Sequence, residues 1–160
     1  MRILFISLGC DKNLVDSEEM LYLLRKKGYE ITDDEENADI IVVNTCCFIH
    51  DAKEESIDTI LEMGKYRLSG KVKALIVTGC LAQRYREEIL KEIPEVDAVL
   101  GTASYDDILE AVEKTLKGEK YLSFRPTDRL VDTGGGRIIT TGGAYEYLRI
   151  AEGCAKHCTY

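Results

Sequence analysis

The chain has 160 residues and a net charge of −8, with 45% apolar and 31% charged residues. That composition suits one ordinary globular domain plus a remnant and argues against disorder. The longest apolar runs, 40–43 and 74–77, are far too short to span a bilayer, so no membrane partner is expected. Met1-Arg2 leads straight into a strand-like run with no small-residue cleavage site, and a cytoplasmic location is the expectation.

Charge is uneven along the chain. Residues 1–120 carry 16 Lys/Arg against 25 Asp/Glu, and residues 121–160 carry 5 against 4. An acidic first domain makes a poor binder of phosphate backbone, so no direct nucleic-acid binding is expected from it. Six cysteines in a reducing compartment point to metal binding or catalysis rather than disulfides.

In chain order, strand-like runs fall at Ile3 to Leu8, Tyr29 to Thr32, Ile40 to Asn44, Ala74 to Thr78 and Ala98 to Leu100. The runs at 3–8, 40–44 and 74–78 are nearly continuous apolar stretches, as expected when helices cover both faces of a parallel sheet. Helical periods lie between them: Met20, Leu21 and Leu24; Ile57, Ile60, Leu61 and Gly64; Tyr85, Ile89 and Ile93; Ile108, Val112 and Leu116. Asp16-x-x-Glu19 and Asp51-x-x-Glu54 read as capping boxes and Ser104 as an N-cap, while Gly28 and Gly118 sit where C-terminal caps belong. The acidic stretch 33–37 leaves room for only a very short helix.

The alternation predicts an α/β fold: a flavodoxin-like, open, parallel five-stranded sheet of order 2-1-3-4-5 with helices on both faces, over residues 1–120. Residues 121–147, punctuated by Pro126, Gly134-Gly135-Gly136 and Gly142-Gly143, read as a connector with a possible β-hairpin around Arg137 to Thr141. The glycine triplet lacks the Gly-Lys-Ser/Thr ending of a P-loop and reads as turn chemistry. A new strand at Tyr147 to Ala151 opens a last segment, 148–160, that is too short to complete a domain.

Three of the apolar runs end alike, in Gly9-Cys10, Thr45-Cys46 and Gly79-Cys80. Parallel strands end on one side of a sheet, where open α/β folds bind ligands, so Cys10, Cys46 and Cys80 can converge on one object. Soft thiolates select iron–sulfur clusters, zinc or copper(I). A structural zinc would want a fourth ligand, for which His50 and Cys47 are the nearby candidates. Gly9 and Gly79 would let the backbone turn sharply and approach closely. The bland alternative is three buried cysteines acting as small hydrophobes, which suits Cys47 best because it misses the common offset and is expected to face away. Asp16, Ser17 and Glu18 read as a helix start, Arg84 as a solvated helix charge and His157 as a bystander; Asn13 and Asn44 are candidates for hydrogen bonds around a cluster. A flavin-binding reading is disfavoured because residues 9–13 lack a Ser/Thr-rich phosphate cradle.

The C-terminal residues Glu152-Gly153-Cys154-Ala155-Lys156-His157-Cys158-Thr159-Tyr160 resemble the start of a radical-SAM barrel, whose C-x-x-x-C-x-x-C motif would need a cysteine immediately beyond Tyr160. Gly9-Cys10-Asp11-Lys12-Asn13-Leu14-Val15-Asp16-Ser17-Glu18, Asn44-Thr45-Cys46 and Gly79-Cys80-Leu81-Ala82-Gln83-Arg84 resemble the N-terminal domain of the methylthiotransferase family. The resemblance implies two 4Fe–4S clusters, one on Cys10, Cys46 and Cys80 and one on Cys154 and Cys158, with S-adenosylmethionine and an electron donor. Lys12-Asn13 resembles the branch that modifies an aspartate β-carbon in the twelfth protein of the small ribosomal subunit. The tRNA-modifying branch more usually has Gln-Met-Asn there. Asp11 departs from the proline, and Cys47 from the glycine, common in the first branch. The resemblance also implies that the 160-residue chain alone is inactive. The alternative from another class is a non-catalytic zinc or redox dithiol module.

Overall fold

The computed structural model describes residues 1–132, 134–151 and 156–157. Its strands are β1 (Arg2–Ser7), β2 (Glu30–Thr32), β3 (Ile40–Thr45), β4 (Ala74–Gly79), β5 (Ala98–Leu100) and β6 (Tyr121–Ser123). Its helices are α1 (Asp11–Lys26), α2 (His50–Leu68), α3 (Cys80–Tyr85), α4 (Glu87–Glu92) and α5 (Ile108–Thr115), with 3-10 turns at Glu35–Asn37 and Tyr105–Asp107. The strands form one sheet in the order β2-β1-β3-β4-β5-β6, and every pair is parallel.

Alternation along the strands builds two cores. Ile41, Val43, Leu75, Val77 and Val99 face Ile60 and Met63 of α2, Leu81 of α3 and Ile89 of α4. Ile40, Val42, Ala74, Ile76 and Leu100 face Met20 and Leu24 of α1 and Ile108 and Val112 of α5. Residues 40–45 and 74–79 are buried throughout, which is why both runs are apolar without alternation. Each fully buried aliphatic side chain stabilises the fold by roughly 1.5–3 kcal/mol. Gly28 and Gly118 take left-handed φ angles of 96° and 80°, just past α1 and α5, as their capping positions require.

The sheet has six strands where the sequence predicts five. Tyr121 to Ser123 pair with Ala98 to Leu100 and add an edge strand, locked by Ser123 donating to Asp107 at 2.6 Å and by Arg125 on the same carboxylate. Only three residues long and partly exposed, this strand lacks the apolar run that marks the central ones. The period through Tyr85, Ile89 and Ile93 is not one helix, because Arg86 adopts φ 44° and separates α3 from α4. Neither acidic capping box starts a helix. The first begins after Cys10, placing Asp16 inside it, and the second begins after Ile49, placing Asp51 in its first turn. Among the described residues, 124–151 contain no strand, so neither the hairpin nor the strand at Tyr147 to Ala151 forms. That segment instead bonds to α1: Ile138 N–H donates to the Glu18 carbonyl at 3.1 Å. No helix among the described residues is long and apolar enough to cross a membrane.

Ile76 is fully buried at the centre of the second core. Ile76→Ala should lower the unfolding free energy by about 2–5 kcal/mol, read as a lower denaturant midpoint at unchanged m-value.

Candidate functional site

The carboxyl ends of β1, β3 and β4 are adjacent, and each leads directly to one of the three cysteines. The registers differ in a revealing way. Thr45 pairs with Gly79, so Cys46 and Cys80 leave the sheet at the same level. Ser7 pairs with Asn44, which sets Cys10 one residue later than the equal offset in sequence implies. Gly9 takes up that extra residue at φ 100°; a Cβ there would stand 2.7 Å from Cys46 Cβ and 3.1 Å from its Sγ. Gly79, at φ 96°, leaves no room for a Cβ against the Asn44 side-chain oxygen and the Thr45 carbonyl. Both glycines are therefore fixed by conformation and by the crowding of neighbouring loops.

Asn13, almost fully buried in the first turn of α1, ties the three loops together. Its amide nitrogen donates to the Leu8 carbonyl at 3.1 Å and the Thr45 carbonyl at 2.9 Å. Its amide oxygen accepts from the Cys80 thiol at 3.7 Å. Asn44 at the end of β3 donates to the Asn13 carbonyl and to the Ser17 hydroxyl, both at 2.9 Å, and Ser17 meets Ser7 of β1 at 2.7 Å. On the other face, the buried Ser56 hydroxyl of α2 accepts from Cys46 N–H at 3.0 Å and donates to its carbonyl at 2.9 Å. Thr45 donates to the Thr78 carbonyl at 2.5 Å. The sequence points to Asn13 and Asn44, casts Ser17 as part of a helix start, and gives no sign of Ser7 or Ser56. The Ser7–Ser17 and Cys46–Ser56 bonds join a strand end to the helix that follows it across a loop, a contact that neither the strand nor the helix period marks.

Cys10 is exposed, Cys46 buried and Cys80 intermediate. Burial, and after it the neighbouring thiols of Cys46, Cys47 and Cys10, push the Cys80 thiol up to about 11, with Lys12 pulling the other way. The thiols thus share one electrostatic environment. Three thiolates can coexist there only if a cation compensates them. Cys47 is half-buried and packs against the core lined by α2 and α3, and its thiol is among the groups that raise Cys80.

A tetrahedral zinc would hold its thiolates about 3.8 Å apart. Among the described residues, the set of three ligand atoms that all lie within 4.8 Å of one another is His50, Asp51 and Glu54, not the cysteines. The cysteine trio offers sulfur alone, a donor set that suits iron–sulfur clusters, zinc or copper(I). His50 is exposed beside Glu54 at 3.5 Å, a solvated pair at the start of α2. Asp16 and Glu18 are buried in α1 away from any cap, and Arg84 is exposed. Cys154 and Cys158 lie outside the described residues.

Residues 2–101 match the model of Uncharacterized protein family UPF0004. The chain is 68% identical over 160 residues to a protein of Lachnoclostridium phytofermentans named ribosomal protein uS12 methylthiotransferase RimO, an alignment covering all of this chain and 36% of that protein. Proteins of the same name from Thermoanaerobacter sp. and Clostridium tetani are each 52% identical, over 155 and 156 residues, covering 97% of this chain and 35% and 34% of theirs. The chain spans about a third of the length of the curated relatives it matches.

The raised Cys80 thiol makes a pH-dependent prediction. In metal-free protein, its alkylation rate, followed by peptide mass spectrometry, should climb along a titration centred near pH 11 and not near its ordinary 9.0. The folded state holds that proton more tightly than the unfolded chain does. Its contribution to stability is therefore intact below pH 9 and declines as pH rises from about 9 toward 11.

Proposed function

The chain belongs to Uncharacterized protein family UPF0004, the N-terminal domain of methylthiotransferases, and from that membership we propose that it is the cluster-bearing front domain of an enzyme that methylthiolates ribosomal protein uS12. The observation that carries the reading is the gathering of Cys10, Cys46 and Cys80 at the carboxyl ends of three adjacent parallel strands. In this reading those three cysteines hold an auxiliary 4Fe–4S cluster. Cys154 and Cys158 supply two ligands of a second cluster that works with S-adenosylmethionine and an electron donor. When bound, the auxiliary cluster would supply the sulfur of the methylthio group, and its partner the radical chemistry that acid–base side chains cannot perform. The transferred group would end on the β-carbon of an aspartate in the ribosomal protein.

The chain's own residues prepare the auxiliary site. Gly9 and Gly79 let the Cys10 and Cys80 loops close on Cys46. Ser56 pins the backbone of Cys46 from one face of the sheet, and the Asn13 amide orients the Cys80 thiol from the other. The amino-terminal end of α1, a 16-residue helix beginning next to Cys10, favours negative charge at this edge, and Lys12 adds a cation in the same turn. Cluster uptake must displace the thiol protons, so it becomes easier as pH rises. Phe48 and Ile49, exposed beside the Cys46–Cys47 pair, form an apolar collar that would exclude water once the rest of the enzyme covers the site.

Two experiments test the reading. Anaerobic iron and sulfide reconstitution of the 160-residue chain should load about four irons per chain at the first site. Cys10→Ala, Cys46→Ala and Cys80→Ala should each abolish the loading, while Cys47→Ala leaves it intact. Stoichiometric zinc in tetrahedral geometry with no iron uptake would replace this reading with a structural module. For the substrate, the full-length enzyme with S-adenosylmethionine and reductant should add a methylthio group to uS12 and leave tRNA unmodified, read by mass spectrometry. Modification of tRNA alone would move the enzyme to the other branch.

A further inference from the structure

The buried carboxylates of α1 bond to groups other than the three cysteines, and a surface helix does not ordinarily bury acids. Glu18, Asp16 and Ser17 are all less than 5% exposed. Ser17 belongs to the network at the thiol edge and Asp16 meets Lys12 one turn away at 2.6 Å, but the remaining partners of the two acids come from the far end of the chain. Arg137 reaches Glu18 at 3.2 Å, and Thr140 donates to the same carboxylate through its backbone N–H at 2.6 Å and its hydroxyl at 2.8 Å. Arg149 donates to Asp16 at 2.8 Å and to Glu19 at 2.7 Å, while the Tyr105 hydroxyl donates to the other Glu19 oxygen at 2.6 Å. Arg137 also donates to the Tyr147 carbonyl at 2.6 Å, which closes residues 137–147 into a loop. Gly136 lies so close to the Tyr22 ring that a Cβ would overlap it, which gives the third glycine of the 134–136 triplet a packing reason.

We propose that residues 136–149 are a fixed strap and not a flexible linker, and that Glu18, Arg137 and Arg149 are positioning residues that set where the chain beyond Ala151 departs relative to the three-cysteine edge. The physical basis is a double dependence. Charges this deeply buried are costly unless paired, so the burial of Glu18, whose side-chain partners are Arg137 and Thr140, depends on the strap. The strap forms no strand of its own among the described residues, so it is ordered here by what α1 offers. Helix α1 also carries Asn13 two residues inside its start, and its rigid body links the cysteine loops to the strap through a single element. The inference stands on these contacts whether or not the thiols hold a cluster.

Hydrogen exchange on the 160-residue chain tests it. The amides of Ile138 and Thr140 should be protected in the unaltered chain and should exchange on the order of 100-fold faster in the double variant Arg137→Met/Arg149→Met, since each loses a charge-supported anchor. Chymotrypsin should then cut after Tyr145 or Tyr147, sites resistant in the parent. Amides of β3 and β4 should keep their protection, and Arg137→Lys/Arg149→Lys should restore much of the strap protection by returning the charge without the forked geometry. Unprotected Ile138 and Thr140 in the parent, or unchanged exchange in the methionine variant, would overturn the strap. Loss of protection across β3 and β4 in that variant, with no recovery in the lysine one, would show the arginines to be general supports of the fold and would overturn the positioning role.

Discussion

Everything at the sheet edge follows from bringing three thiols together where their ionised forms repel. At Cys80 burial first, and then three sulfur neighbours, oppose the thiolate, and Lys12 offsets part of that opposition. Such an arrangement is unfavourable as a set of thiolates in isolation and favourable around a cationic core. The protein supports it with structure beside the limited positive charge of Lys12. The Asn13 side chain bridges the loops, Ser56 fixes Cys46, and two glycines in left-handed conformations remove the Cβ atoms that would hold the loops apart.

Helix α1 is the element on which both ends of the described chain depend. Its first turn serves the cysteine edge, and its middle serves the connector. A 16-residue helix with only a modest apolar stripe would ordinarily expose its polar positions, but here Asn13, Asp16, Ser17 and Glu18 are buried. Each of these polar groups meets a specific partner, which is the condition for burying it without large cost. The segment Asn13 to Glu18 is therefore constrained by hydrogen bonding at nearly every position, although the thiols alone would explain only its start.

What was legible in the sequence was what the two-sided core dictates. Strands β1, β3 and β4 lie in the middle of a sheet covered on both faces, so their burial writes itself as uninterrupted apolar runs, and the cysteines stand out at the ends. The edge strand β6 was not legible, because three partly exposed residues carry no period. The break at Arg86 was hidden because Tyr85, Ile89 and Ile93 keep helical spacing across it, and a left-handed arginine has no sequence signature. Asp16 to Glu18 look like capping residues because acids suit helix starts. Glu18 meets Thr140 and Asp16 meets Arg149, each more than a hundred residues away, and a contact at that separation cannot be read from local pattern. The equal spacing of the cysteines was right for Cys46 and Cys80 and one residue off for Cys10, since only strand pairing sets register.

The reading stands or falls on whether Cys10, Cys46 and Cys80 ligate one inorganic core. The most direct measurement is a crystal structure of the anaerobically reconstituted chain with anomalous data collected at the iron edge. Compact iron density bridging the three sulfurs above β1, β3 and β4 is the expected result. Iron seated elsewhere, or a core held by fewer than these three sulfurs, would contradict it.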